Sequence, residues 1–167
     1  AVVTGSNRGI GRAIVEAFAG NGANVWACAR KETADFVADM ADVAGRHGVA
    51  VRPVFFDMAD AASMARAVRS MRSDGRPIDV LVNNAGIISE NASFLMTSSD
   101  SLERVFEVNF FSQMRFTQYV VRMMTSSPAG GSIVNMSSIA ARAGMPGQLA
   151  YACSKDAMET ATIMLAR

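Results

Sequence analysis

The run Val2-Val3-Thr4-Gly5-Ser6-Asn7-Arg8-Gly9-Ile10-Gly11 decides the fold. An apolar strand-like start ends in a glycine turn, and residues Ile10–Asn21 then carry the apolar spacing of a helix. Glycines let backbone N–H groups close in on a pyrophosphate, and a helix N-terminus favours its negative charge. The spacing is Gly-x-x-x-Gly-x-Gly, not the commoner Gly-x-Gly-x-x-Gly. With Thr4 before it, the pattern is more selective than a tight turn alone. Gly5, Ser6, Asn7, Arg8, Gly9, Ile10 and Gly11 are therefore the first candidate dinucleotide-binding residues.

Outward from this loop, strand-like runs alternate with amphipathic stretches. The predicted strands are Ala1–Thr4, Asn24–Ala29, Ala50–Phe55, Asp79–Val82 and Ser132–Met136. The predicted helices lie near Ile10–Asn21, Thr33–His47, Ala61–Ser73, Ser99–Asn109, Phe111–Ser126 and Tyr151–Arg167, with a loop at Ser126–Gly131. Such alternation predicts an α/β fold with a parallel sheet covered by helices on both faces. The near-continuous apolar strand Val80-Leu81-Val82 suits a sheet buried on both sides. No linker divides the chain, so residues 1–167 are expected to form one domain.

The second strand ends at Ala29-Arg30, where an NAD site usually places an acid for the ribose hydroxyls. Arg30 stands there instead, and Arg8 lies in the loop; two guanidiniums suit a 2′-phosphate and point to NADP(H). Two solvated surface arginines are the plainer alternative, and Glu32 keeps NAD open. Asp57, with Met58 beside it, follows the third strand and could accept from an adenine amino group. Asn83-Asn84-Ala85-Gly86 follows the fourth, at the strand ends where open α/β sheets form their ligand crevice. Asn84, Ala85 and Gly86 join the candidate cofactor site.

Near the C-terminus, Tyr151-Ala152-Cys153-Ser154-Lys155 places a phenol and an ammonium four apart on one helix face. A phenol of pKa about 10 is a poor base near neutral pH, and a nearby cation favours the phenolate. The pair can then serve as general acid/base for carbonyl and alcohol chemistry. Alone it is a weak signal. Following Ser138 and a glycine-rich nucleotide loop, it is a strong one.

Composition sets outer bounds. Half of the 167 residues are hydrophobic, and the net charge is +1 with acids and bases scattered, which argues against nucleic acid as a partner. No run of about 18 apolar residues and no signal peptide is visible, so no membrane span is expected. Cys28 and Cys153 lie far apart, which favours a reduced, cytoplasmic setting. Cys153 is expected to be a small packed residue. His47, at a predicted helix end, is expected to complement the helix dipole. No cluster has metal-ligand spacing, so no metal is expected.

One predicted helix carries two apolar stripes: Phe110, Met114, Thr117, Val121 and Met124, and then Phe116, Val120 and Met123. A surface helix usually carries one. The second stripe predicts contact with another subunit; a helix fully buried in a monomer is the alternative.

Thr4–Gly11, Asp57, Asn83–Gly86, Asn109, Ser138, Tyr151 and Lys155, in this order, resemble the short-chain dehydrogenase/reductases, in particular their NADP-dependent reductases. The stretch Gly147-Gln148-Leu149-Ala150-Tyr151 is similar to 3-oxoacyl-(acyl-carrier-protein) reductases. The resemblance implies a Rossmann-like doubly wound sheet and a ketone reduced to a secondary alcohol. It makes Tyr151 the proton donor. Lys155 would tune Tyr151 and hold the nicotinamide ribose, Ser138 would bind the substrate oxygen, and Asn109 would support a relay water. It also implies a small carbonyl or alcohol substrate, with acyl carrier protein as a candidate carrier, and a homotetramer. The chain starts at Ala1 inside a predicted strand and ends at Arg167 inside a predicted helix, so it is expected to be incomplete at both ends; the resemblance implies two further strands and a substrate-covering loop after the fifth strand. A sugar or polyol dehydrogenase, and a non-catalytic dinucleotide binder, are the competing readings.

Overall fold

A computed structural model describes residues 1–88, 91–124 and 130–166. The predicted helix ends at Ser126 and Arg167, and most of the predicted loop Ser126–Gly131, lie outside the described residues. The chain forms two compact units, Ala1–Ala85 with Phe116–Val134, and Gly86–Arg115 with Asn135–Arg167.

The first unit holds β1 (Val2–Thr4), α1 (Gly9–Gly20), β2 (Val25–Ala29), α2 (Ala34–His47), β3 (Val51–Phe55), α3 (Ala61–Ser73) and β4 (Val80–Asn83). To these are added most of α5 (Ser112–Met124) and β5 (Ser132–Asn135). The sheet order is β3-β2-β1-β4-β5. This is the doubly wound, Rossmann-like order, with β1 at its centre. β1 pairs in parallel with both neighbours, Val3 lying opposite Ala27 and Val82. Val2, Val3 and Leu81 are fully buried, each burial worth roughly 1.5–3 kcal/mol.

Local signals explain the helices. Thr33 Oγ1 accepts the Phe36 N–H at 3.3 Å and starts α2. Gly48, in the left-handed region at φ 65°, stops it. Asp60 caps α3 by accepting from Ala62 and Ser63. α1 and α2 are laced by charge: Arg12 bridges Glu16 and Asp39, and Arg46 bridges Glu16 and Asp42. His47 does occupy the last turn of α2, and its Nε2 also lies 2.6 Å from Glu16 Oε1.

The second unit holds a 3₁₀ turn (Phe94–Met96), α4 (Ser99–Phe106), a π-helical segment (Glu107–Phe111), the start of α5, then α6 (Ala140–Ala143) and α7 (Leu149–Leu165). Ser98 caps α4 through the Ser101 N–H. Where the sequence predicts a break near Phe110, the structure has an uninterrupted helical run with a π turn, the Ser112 N–H reaching the Glu107 carbonyl.

α5 buries Phe116, Val120, Thr117 and Met124, while Phe110, Met114, Val121 and Met123 are half-buried. Phe116 stacks on Phe56 with ring centroids 5.1 Å apart. Neither predicted stripe is wholly buried. The expectation for Cys153 is corrected: its thiol is exposed, because position 153 falls on the outer face of α7. Cys28 is buried in β2, and burial pushes its thiol up to about 12.

Candidate active site

In the first unit, the glycine turn needs its glycines. Gly5 and Gly9 adopt φ of 68° and 55°, which side chains rarely tolerate. A Cβ on Gly5 would sit 2.9 Å from Ala85 Cα, and one on Gly11 would overlap the Gly5 carbonyl oxygen and the Asn84 amide. Thr4 Oγ1 accepts the N–H groups of Asn84 and Ala85 at 3.0 and 2.9 Å, and Asn84 Nδ2 donates to the Thr4 and Gly5 carbonyls. Thr4 is thus the residue that joins the two candidate cofactor turns. Its place before Gly5 was the available signal.

The buried Ser6 hydroxyl donates to the Val3 carbonyl at 2.7 Å, so it shapes the turn. Asn7, Arg8, Ile10 and Arg30 are exposed. Unlike α2, α3 and α4, α1 has no capping side chain: its N-cap, Arg8, makes no such bond. A glycine cradle that a Cβ would fill, opening on an uncapped helix, fits a pyrophosphate. Asp57 Oδ1 accepts the Ala59 N–H at 2.9 Å, and Met58 is buried.

In the second unit, Gly86, Asn109, Ser138, Tyr151 and Lys155 come from a turn, the π segment, the chain after β5 and α7. Asn109 is fully buried. Its Oδ1 accepts the Ile87 N–H at 2.8 Å, and its Nδ2 donates to the Ile87 carbonyl at 2.9 Å and Ser154 Oγ at 3.1 Å. The Asn109 amide therefore clamps backbone, and Ser154, which the sequence reading passed over, ties it to α7. Ser154 Oγ itself donates to the Tyr151 carbonyl at 2.7 Å.

Lys155 Nζ donates to the Met136 carbonyl at 2.7 Å and lies 5.9 Å from the centre of the half-buried Tyr151 ring. The four-residue spacing thus does place cation and phenol side by side. Burial holds the Lys155 ammonium below its ordinary pKa. A Cβ on Gly86 would lie 3.3 Å from Asn109 Oδ1 and 3.6 Å from Lys155 Nζ.

The two neighbouring serines differ. Ser137 Oγ donates to Glu159 Oε1 at 2.6 Å. Ser138 Oγ accepts the Ala140 N–H at 3.2 Å, which leaves its own proton to donate.

The short chain dehydrogenase family model matches residues 1–167. The chain belongs to this family. This short-chain dehydrogenase is 36% identical over 166 residues to carbonyl reductase [NADPH] 2 of Sus scrofa, covering 99% of the chain and 64% of that protein. It is 32% identical over 167 residues to 3-oxoacyl-[acyl-carrier-protein] reductase FabG of Salmonella typhimurium, covering 100% of the chain and 66% of that protein. A crystal structure of 3-oxoacyl-[acyl-carrier protein] reductase from Brucella melitensis in complex with NAD superposes with a TM-score of 0.90 at 30% identity. That match covers 99% of this chain and 65% of the other. The short-chain dehydrogenase thus spans about two thirds of the length of these relatives. Among the described residues no helix is long and apolar enough to cross a membrane.

Proposed function

We propose that this short-chain dehydrogenase reduces a ketone to a secondary alcohol with NADP(H), and that Tyr151 donates the proton. The observation that carries the reading is the buried Lys155 ammonium, held by the Met136 carbonyl beside the Tyr151 ring.

Gly5, Gly9 and Gly11, the uncapped start of α1, Asn84, Ala85 and Gly86 would hold the dinucleotide, with Asp57 and Met58 at its adenine end. Arg8 and Arg30 would meet the 2′-phosphate. When bound, reduced nicotinamide supplies the hydride that attacks the carbonyl carbon. Ser138, whose hydroxyl has a proton to give, orients the carbonyl oxygen. Tyr151 transfers its phenolic proton to that oxygen as charge develops there, and Lys155 stabilises the phenolate left behind. Asn109 fixes the Ile87 backbone and, through Ser154, the α7 turn that carries Tyr151, and would support the relay water that returns a proton to the phenolate.

A 3-oxoacyl thioester on acyl carrier protein is the substrate class to test first, on the likeness to FabG. The half-buried Phe110, Met114 and Val121 and the exposed Phe111 support contact with another subunit, and the family resemblance makes the proposed assembly a homotetramer. The two unpaired cysteines fit a cytoplasmic setting.

The test is NADPH oxidation, followed by absorbance, with the full-length protein against ketones that include 3-oxoacyl thioesters. Reduction of at least one, with NADPH preferred over NADH, is expected. Absence of any NADPH-dependent reduction contradicts the reading.

A further inference from the structure

α7 is fastened to the chain leaving β5 by three polar side chains at helical spacing. Lys155 donates to the Met136 carbonyl at 2.7 Å, Glu159 accepts from Ser137 Oγ at 2.6 Å, and Thr162 Oγ1 accepts from Asn135 Nδ2 at 2.8 Å. Positions 155, 159 and 162 share one face of a helix. Their partners, Asn135, Met136 and Ser137, are three consecutive residues that end immediately before Ser138.

Glu159 is the one charged acceptor in this set. Its Oε1 takes the Ser137 proton, and its Oε2 takes the Arg142 Nε–H of α6 at 2.9 Å. Ser137 Oγ also lies 3.4 Å from the Lys155 carbonyl oxygen, so the same hydroxyl sits against the α7 turn that ends in the proposed catalytic pair. The Arg142 contact alone would mean little, because that side chain is 72% exposed and exposed ion pairs contribute about 0–1 kcal/mol. A carboxylate accepting a hydroxyl proton at 2.6 Å, on a side chain only 24% exposed, is a stronger and better-aimed bond.

We propose that Glu159 is a positioning residue for carbonyl reduction: by holding Ser137 against α7, it fixes Ser138 in register with Tyr151 and commits Ser137 away from the substrate. The inference rests on the reductase reading above. It extends the site to a residue one helical turn beyond Lys155 that touches no reacting atom. Displacement of a catalytic group by about 1 Å can cost ~100-fold in rate, so partial loosening of Ser138 should cost less.

The experiment is steady-state kinetics of the full-length protein with one ketone that it reduces, with melting temperature and NADPH affinity measured in parallel. Glu159→Leu is expected to lower kcat roughly tenfold while NADPH affinity stays within about twofold. Glu159→Gln keeps an acceptor oxygen toward Ser137 and should recover most of the rate. Arg142→Ala removes only the exposed pair and should leave kcat unchanged. Ser137→Ala, which carries no change of charge and tests the point even if Glu159→Leu fails to fold, should lower kcat by the same factor. The double variant Ser137→Ala/Glu159→Leu should be no slower than Glu159→Leu alone, as expected when one residue acts through the other. An active wild type whose kcat is unmoved by Glu159→Leu or by Ser137→Ala overturns the proposal alone. So does a double variant whose losses multiply. A wild type that reduces no ketone overturns the reductase reading, and this proposal with it.

Discussion

The Lys155 ammonium donates to the Met136 carbonyl at 2.7 Å and pairs with no carboxylate among the described residues. Burial holds its pKa below the ordinary lysine value. The unfolded chain therefore binds this proton more tightly than the folded one. The charge costs stability at neutral pH, and the cost falls as pH rises toward the unfolded pKa of about 10.4. Lys155→Met is expected to weaken NADPH binding and abolish most turnover, while stability at pH 7 falls by no more than about 1 kcal/mol, the worth of one hydrogen bond. Thermal melts beside cofactor titration check this.

The glycine turn gives a second expectation. Gly9 has a left-handed φ but open space around a Cβ, whereas a Cβ on Gly11 would overlap the Gly5 carbonyl. Gly9→Ala should cost about 1–3 kcal/mol of backbone strain. Gly11→Ala should also displace the loop and weaken dinucleotide binding by at least tenfold, on the scale of overpacking penalties of about 1–3 kcal/mol. Equal cofactor affinities for the two variants would show that the Gly5–Gly11 approach does not shape the site.

The proposed preference for NADP(H) is argued from Arg8 and Arg30, both exposed, with Arg30 directly after β2. Arg30→Asp should weaken NADPH binding by about 10- to 100-fold, the scale of a charge-assisted contact, and leave NADH binding little changed. Fluorescence titration with both nucleotides decides it.

Glu16 accepts from Arg46, His47 and Arg12, and these hold its carboxyl well below the usual carboxylate range. A depressed carboxylate contributes stability that is present above its unfolded pKa, about 4.3, and lost as pH falls through its folded value. The melting temperature of the wild type should therefore fall more steeply below about pH 4.3 than that of Glu16→Gln. Parallel acid titrations of the melting temperature would show it.

Much of this molecule is legible in its sequence because its signals are local. The glycine turn, the strand–helix alternation that predicts a parallel sheet and the helix starts near Thr33 and Ala61 all lie within a few residues of what they specify. The same holds for the Tyr151–Lys155 spacing. What the sequence hid is tertiary. Nothing in the order of residues says that Asn109 spends its amide on the Ile87 backbone or that Ser154 joins it to α7. In the sequence the π turn at Glu107–Phe111 looks like a break between two helices because it shifts the period without ending the run. Cys153, expected to pack, is exposed, because its two-residue offset from Tyr151 fixes a different helix face but not what covers that face.

The central claim is that Tyr151 gives the proton. Tyr151→Phe keeps the ring beside Lys155 and removes only the hydroxyl, so folding and NADPH affinity should survive. The direct measurement is steady-state ketone reduction by the full-length Tyr151→Phe protein, with NADPH affinity measured separately by fluorescence. Loss of about 10²–10⁴-fold in turnover at unchanged cofactor affinity is the predicted result. Turnover near that of the wild type would contradict the mechanism.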